Sequence, residues 1–226
     1  MRALASILGS FEKPDLTAEQ WAERNIAAER FDREQAEARR RARIARSGIP
    51  EEFLGARLEL CEAPVRAWRG PRGLLLQGEW GSGKTYAACA VLIDRAADST
   101  VRFATMGGLL REIKACWGGS DSEESVMRRY ANVGVLALDD VGKEQLTEWS
   151  LPLFFAVVDT RWSRRLPTVV TTNYAGAKLM ERFTVGGDRT TAKAIVSRMA
   201  TYGRVVLESG DRRLAAAREA AGKEER

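Results

Sequence analysis

The segment GEWGSGKT at positions 78–85 has the residue types and the spacing of a phosphate-binding loop. Its glycines allow backbone N–H groups to turn inward around phosphate oxygens, and the N-terminus of a following helix adds positive partial charge. We expect Lys84 to contact the β- and γ-phosphates of ATP and the Thr85 hydroxyl to bind Mg²⁺. The residues predicted to bind the nucleotide phosphates are Gly78, Gly81, Ser82, Gly83, Lys84 and Thr85.

Two adjacent carboxylates, Asp139 and Asp140, follow an apolar run that ends at Leu138. The carboxyl ends of parallel strands meet at the edge of a sheet where a phosphate loop also lies. Neighbouring residues on a strand point to opposite faces, so we expect the two carboxylates to have different roles. We predict that Asp139 holds Mg²⁺ through its waters and that Asp140 orients or deprotonates the attacking water. A second acid at this position favours hydrolysis over nucleotide binding alone.

A further polar residue, Asn173, ends the apolar run LPTVVTTN at 166–173. At the edge of a strand beside Asp140, its side chain can hydrogen-bond the γ-phosphate or the attacking water. The alternative is an asparagine that begins a turn after a buried strand.

Alternating strands and helices surround these motifs and must position them. Short apolar runs predict strands at 73–77, 101–105, 133–140, 166–173 and 203–209. Helical patterns occupy 84–97, 107–117, about 147–163 and 190–200. This alternation predicts an α/β fold with a five-stranded parallel sheet that is covered by helices on both faces.

The stretch 15–46 contains no Gly and few apolar residues, which predicts a long helix of low hydrophobicity. Such a helix is either solvated or docks a partner. Gly48 and Pro50 break it. We therefore predict a helical N-terminal arm at 1–47, an ATPase domain at 48–213 and a charged tail at 214–226.

Composition excludes several kinds of site. The chain has no histidine and only three scattered cysteines, which excludes Cys/His zinc sites, His-based triads and CxxC redox chemistry. The 36 basic and 31 acidic residues give a net charge of +5, which permits a nucleic-acid partner without requiring one. No apolar run is long enough for a membrane span, and the N-terminus lacks the features of a secretory signal, so we predict a cytoplasmic protein.

Five segments together point to a family: GLLLQGEWGSGKT, VLALDDVGKEQLTEW, VVDTRWSRRLPTVVTTNY, AIVSRM and VVLESGDRR. In order and spacing they resemble the AAA+ ATPases of the DnaC/DnaI helicase-loader group and their IstB transposition-helper relatives. The resemblance covers roughly residues 48–213. It implies a P-loop NTPase fold of the AAA+ class with no full helical lid, since few residues follow the fifth strand.

The resemblance also implies roles for residues outside the phosphate loop. Arg198, in the SRM element, corresponds to an arginine finger that acts in trans on the ATP of a neighbouring subunit; a surface helix arginine is the alternative. Arg213 corresponds to the second-sensor arginine, with Arg212 one position away and not excluded. Ile49 and Pro50 correspond to the segment that borders the adenine.

Helix 107–117 occupies the place of the insertion that faces single-stranded DNA in these loaders. Arg111 and Lys114 are three residues apart and share one helix face, which suits two successive phosphates. A solvated basic face is the alternative.

The function implied is a Mg²⁺-dependent ATPase that oligomerises through ATP and delivers a hexameric replicative DNA helicase onto single-stranded DNA. The main alternative is an IstB-like transposase helper that binds duplex DNA. A small-molecule kinase is disfavoured by the two acids and Asn173, and a non-catalytic adaptor would show no turnover. Known loaders carry a helicase-binding domain before the ATPase, whereas here only about 47 residues precede the predicted boundary.

Overall fold

A computed structural model describes residues 17–118 and 122–208. The predicted second sensor, Arg213, its neighbour Arg212 and the tail at 214–226 lie outside the described residues. Contacts divide the chain into two compact units, residues 1–39 and residues 40–226. Among the described residues, no helix has both the length and the apolar character needed to cross a membrane.

A five-stranded parallel sheet forms the centre of the larger unit, in the order β2-β3-β4-β1-β5. Its strands are β1 (Leu74–Gln77), β2 (Val101–Thr105), β3 (Val135–Asp139), β4 (Thr168–Thr172) and β5 (Gly203–Val206). The predicted α/β fold is therefore confirmed. Strand β4 lies between β1 and β3, so the strand before the phosphate loop and the strand with the carboxylates are not neighbours.

Both faces of the sheet are covered, which explains why β3 is apolar from Val135 to Leu138. All five residues of β3 are buried. Leu136 and Leu138 belong to one apolar cluster, whereas Val135 and Ala137 belong to a second cluster on the other face. Because successive side chains alternate across a strand, burial on both faces favours apolar residues along the strand, and a buried polar residue such as Asp139 needs hydrogen-bond partners.

The helices are α1 (Ala18–Ala45), α2 (Ala63–Ala67), α3 (Lys84–Arg95), α4 (Met106–Ala115), α5 (Glu123–Asn132), α6 (Ser150–Ser163), α7 (Gly176–Phe183) and α8 (Arg189–Met199). Three of them, α2, α5 and α7, were not predicted. The polar start of α5 resembles a loop, but the Ser122 hydroxyl accepts a hydrogen bond from the Ser125 N–H (3.1 Å) and caps the helix. Helix α7 is short and buries only Leu179 and Phe183.

The larger unit begins inside α1, at Arg40, rather than at the predicted boundary beside Gly48. The Arg43 guanidinium donates hydrogen bonds to the carbonyls of Ala96 (3.0 Å) and Ala97 (2.9 Å), just after the end of α3. Ile44 packs against the apolar core of the unit. The last turns of the predicted arm are therefore part of the larger unit.

The buried guanidinium of Arg161 links the strands to the helices through hydrogen bonds. Arg161 of α6 is fully buried and donates hydrogen bonds to four backbone carbonyls and one hydroxyl. Its acceptors are Tyr130 O, Ala131 O, Val133 O, Pro167 O and Thr168 Oγ1. Desolvation lowers the pKa of Arg161 to about 10, which leaves the side chain charged at neutral pH.

Candidate active site

The predicted phosphate loop connects β1 to α3. Gly81 (φ 78°) and Gly83 (φ 87°) adopt the left-handed conformation that other residues rarely tolerate, and Gly83 forms the N-cap of α3. The loop therefore ends on the N–H groups of the first turn of α3, where helix geometry favours anions. This is the arrangement expected of a phosphate cradle.

Lys84 lies within the loop rather than in solvent. It is buried, and its Nζ donates hydrogen bonds to Glu79 O (2.7 Å), Gly78 O (3.0 Å) and Ser82 Oγ (3.4 Å). The single positive charge of the loop is thus held where an anion bound in the cradle would meet it.

Thr85 and Asp139, the predicted metal ligands, are in direct contact. The Thr85 hydroxyl lies 3.1 Å from both carboxylate oxygens of Asp139, and the Thr171 hydroxyl donates to Asp139 Oδ1 at 2.6 Å. Desolvation raises the pKa of Asp139 and the charge of Asp140 adds to this, whereas the hydrogen bonds from Thr171 and Thr85 oppose it. Burial destabilises the charged form of this carboxylate, so a cation bound beside it would stabilise that form.

The donor set at this point fits Mg²⁺. In the described parts of the chain no cluster of three His, Cys, Asp or Glu side chains could hold a metal ion. Mg²⁺ is commonly bound by one carboxylate or two together with substrate phosphates, rather than by an all-protein cage. Thr85 and Asp139 beside a phosphate cradle match that pattern.

Asp140 does not continue strand β3, which corrects the expectation that the strand extends to residue 140. It has a left-handed backbone (φ 56°), and its N–H donates to the Thr171 hydroxyl (2.9 Å). Its carboxylate accepts a hydrogen bond from Lys143 Nζ (3.1 Å). The two acids therefore differ because the chain turns between them, and not because they alternate along a strand. Both line one cleft.

Asn173 is the first residue after β4 and lines the same cleft. Its Oδ1 atom is buried and has no hydrogen-bond partner. Nearly all buried polar atoms in folded proteins have such a partner. An acceptor left in this state beside Asp140 fits a role toward a ligand in the cleft.

The cleft has a volume of about 700 Å³. Its polar lining residues, which include Asp139, Asp140 and Asn173, are combined with apolar and aromatic walls. Its apolar lining comes from Pro50, Phe53, Leu60, Trp80, Tyr86 and Phe103. Pro50 is one of these residues, and its contact with adenine stays a prediction. Ile49 does not line the cleft, because its side chain packs into the apolar core beneath the sheet.

Comparison with known proteins identifies the family. Residues 68–220 match the family described as IstB-like ATP binding protein. The chain belongs to this IstB-like family. The prediction of an IstB-like AAA+ protein of the DnaC/DnaI type is thereby confirmed.

The most informative relative is the replicative helicase loader DnaI of Bacillus subtilis (strain 168), which is 30% identical over 129 residues. That alignment covers 54% of this chain and 40% of the relative, so the chain spans less than half of the relative's length.

Solved structures share the fold. A crystal structure of DnaI has a TM-score of 0.59 at 24% identity and covers 72% of this chain and 95% of that one. The DnaC helicase loader has a TM-score of 0.55 at 22% identity, covering 70% and 99%.

Arg198 of this IstB-like chain is not among the residues that line the cleft. Its guanidinium forms an ion pair with Asp159 of α6, with Nε 2.7 Å from Asp159 Oδ1, and lies 4.9 Å from the centre of the Phe155 ring and 5.2 Å from that of Trp162. Within one chain the structure therefore does not bring Arg198 to the predicted ATP site.

Arg111 and Lys114 are exposed on α4, as predicted, and also lie outside the cleft. Arg111 forms a long ion pair with Glu144 (3.6 Å).

Two residues of the site were missed from the sequence. They are Thr171, which bridges the two acids, and Lys143, whose ammonium lies between Asp140 and the ring of Trp80. Thr171 stands in the TTN segment that was singled out for its asparagine.

Proposed function

We propose that this IstB-like chain hydrolyses ATP in the cleft, with Mg²⁺ as cofactor. One observation carries the proposal: three groups meet at one edge of the sheet. They are the buried Asp139 carboxylate, which is bound by the Thr85 and Thr171 hydroxyls, the second acid Asp140, whose backbone N–H donates to the same Thr171 hydroxyl, and the unpartnered Asn173 oxygen. A site that only binds a nucleotide requires the first of these and not the other two.

Each side chain of the site has a separate proposed role. Lys84 and the N-terminal turn of α3 neutralise phosphate charge, and Thr85 with Asp139 would hold Mg²⁺. When bound, Mg²⁺ supplies Lewis-acid stabilisation of the charge that develops on the transferring phosphoryl group. Asp140 accepts the proton of the attacking water or orients it, and Asn173 Oδ1 accepts a hydrogen bond from the same water.

The first test separates ATP binding from turnover. We expect Lys84→Ala to abolish ATP binding, and Asp140→Asn to retain binding while turnover falls by about 10²–10⁴-fold. Lys178→Ala, on an exposed lysine of α7, serves as the matched control and should behave like the parent. Turnover by Asp140→Asn at the parent rate would remove Asp140 from the mechanism, and a parent without turnover would reduce the chain to an ATP-dependent adaptor.

We further propose that the chain is a cytoplasmic helicase loader that assembles through ATP and delivers a hexameric replicative helicase onto single-stranded DNA. Its support is the 30% identity to the loader DnaI within the ATPase region. In this proposal Arg198 acts on the ATP of a neighbouring subunit, which agrees with its position away from its own cleft. Its partners within the chain, Asp159 and the two aromatic rings, would keep the guanidinium ordered at the subunit surface.

Mixing of inactive variants tests the trans arrangement. Arg198→Ala keeps an intact ATP site, and Lys84→Ala keeps an intact finger, so a mixture of the two should recover part of the activity. A mixture of Arg198→Ala with the Arg198→Ala/Lys84→Ala double variant should stay inactive. Assays should include single-stranded DNA and the helicase, since either can drive assembly. A mixture that stays inactive under these conditions, with turnover per subunit independent of dilution, contradicts the trans finger.

The arm is the proposed helicase contact. Trp21, Ile26 and Phe31 are exposed on it, and large exposed side chains are common anchors of interfaces. Deletion of residues 1–39 leaves the unit that begins at Arg40 intact, and we expect it to remove co-purification with the replicative helicase of the same genome. Retained co-purification would move the docking site to the ATPase domain. Tight binding to duplex DNA without any helicase would favour the transposase helper instead.

The proposed DNA contact is the exposed face of α4. Arg111→Ala/Lys114→Ala should weaken single-stranded DNA binding and reduce the slope of log K against log salt by about 1.4, since each phosphate contributes about 0.7. Arg128→Ala/Lys178→Ala removes the same charge from other exposed positions and should change neither. Equal effects of the two pairs would leave α4 as a solvated basic face.

A further inference from the structure

The turn that follows β3 carries two residues of the cleft. It begins at Asp140, whose left-handed backbone reverses the chain, and closes with a hydrogen bond from the Lys143 N–H to Asp140 O (3.1 Å). The Lys143 ammonium then lies 3.1 Å from Asp140 Oδ2. The position of the proposed water-activating carboxylate therefore depends on the conformation of this turn, named here the catalytic turn (residues 140–143).

Strand β4 holds only the first half of the catalytic turn. The Val141 N–H donates to Thr171 O (2.9 Å), and the Thr172 hydroxyl donates to Val141 O (2.7 Å). Neither bond reaches Gly142 or Lys143. The second half must be held from another element.

That element is α7, a helix that sequence patterns did not predict. The backbone of Gly142 (φ 89°) lies against it so closely that an added Cβ would be 2.5 Å from Leu179 Cδ2. From the next turn of the helix, the Arg182 guanidinium donates from Nε to Gly142 O and from Nη2 to Lys143 O, the second bond at 2.6 Å. Its Cζ atom also lies 4.7 Å from the centre of the ring of Tyr174, the residue after Asn173.

These contacts suit positioning better than simple charge balance. In the described part of the chain Arg182 has no carboxylate partner, and it is half-buried. A guanidinium presents its N–H donors in a rigid planar fork, so two bonds to consecutive carbonyls define the orientation of the peptide between them. A lysine at the same place could satisfy the charge but could not define that orientation.

We propose that Arg182 is a positioning residue for ATP hydrolysis, which fixes the catalytic turn and through it the carboxylate of Asp140. This inference rests on the hydrolytic function proposed above. Arg182 is not among the residues that line the cleft, and it acts through the backbone of Gly142 and Lys143. A displacement of about 1 Å at a reacting group can cost about 10²-fold in rate, so loss of the fork should appear in turnover rather than in ATP affinity.

The test compares Arg182→Met, Arg182→Lys and the control Lys178→Met, an exposed substitution on the same helix. ATP affinity is measured by titration, and kcat and KM are measured on the full chain with Mg²⁺. We expect Arg182→Met to lower kcat by about 10–100-fold with the dissociation constant of ATP changed by less than about twofold. Arg182→Lys should recover part of kcat, and Lys178→Met should match the parent.

A stability control separates positioning from weakened folding. Val196→Ala removes apolar packing between α8 and the core without touching the catalytic turn. It should lower the thermal midpoint and leave kcat unchanged well below that midpoint. If Arg182→Met does not fold, Arg182→Lys carries the comparison with the same expected split between kcat and ATP affinity.

Three results would overturn the inference. They are parent-like kcat in Arg182→Met, a parallel loss of ATP binding, or an equal loss of kcat in Val196→Ala. A parent chain that binds ATP without hydrolysing it contradicts the proposed function itself, and the inference falls with it. That outcome is recognised before any Arg182 variant is measured.

Discussion

Removal of the Thr171 hydroxyl should destabilise the protein more than any other single change within the site. Thr171 is fully buried, donates to Asp139 Oδ1 (2.6 Å) and accepts from the Asp140 N–H (2.9 Å). Valine has the same shape and can do neither. A hydrogen bond to a charged group contributes about 1.5–3 kcal/mol, and an N–H left without a partner costs about 1–3 kcal/mol. We therefore expect Thr171→Val to lower the free energy of unfolding by about 3–5 kcal/mol at pH 7.

The pH dependence of this loss has a defined sign. The hydrogen bond from Thr171 opposes the upward shift that desolvation gives the pKa of Asp139, so the pKa of Asp139 should rise further in Thr171→Val. The loss of this hydrogen bond lowers the free energy of unfolding most while Asp139 is ionised. The difference from the parent should therefore be largest above the pKa of Asp139 and should shrink as the pH falls through it.

Urea denaturation without nucleotide measures the effect. Thr171→Ser keeps the hydroxyl and should recover most of the loss, whereas Thr160→Val, at a half-buried position on α6, should change the free energy of unfolding by less than about 1 kcal/mol. A loss below about 1 kcal/mol in Thr171→Val, with an unchanged m-value, would show that the bridge between the two acids does not stabilise the fold.

Three further outcomes are expected. Arg161→Met leaves several buried carbonyls without a hydrogen-bond donor, so the free energy of unfolding measured by urea denaturation should fall by about 3 kcal/mol or more. Arg161→Lys should recover part of this free energy. Burial raises the pKa of the Cys89 thiol, so a thiol reagent should label the half-buried Cys116 first in the native protein, and Cys116→Ser should remove that fast phase. Gly142→Ala and Gly187→Ala share the strain of a positive φ, but only at Gly142 would the added Cβ meet neighbouring side chains. Gly142→Ala should therefore be the less stable variant in thermal denaturation. Gly187→Ala should lower the free energy of unfolding by about 1–2 kcal/mol.

Local chemistry explains what could be predicted from the sequence. The phosphate loop is one continuous segment whose glycines, lysine and threonine act through the backbone they stand on, so residue type and spacing were sufficient. Strand β3 was equally clear, because a strand buried on both faces reads as a nearly continuous apolar run. The same continuity delivers Asp139 to the carboxyl edge of the sheet beside the loop.

The rest depends on contacts between distant parts of the chain. Thr171 meets the two acids because β4 lies between β1 and β3, an order that strand patterns do not encode. Asp140 differs from Asp139 through a left-handed turn rather than through strand alternation. Arg182 reaches that turn from a helix with two buried residues, too few for a clear periodic signal. Sequence alone therefore located the groups proposed to contact the nucleotide. Only the tertiary structure showed which residues hold those groups in place, since these residues act across the fold and not along the chain.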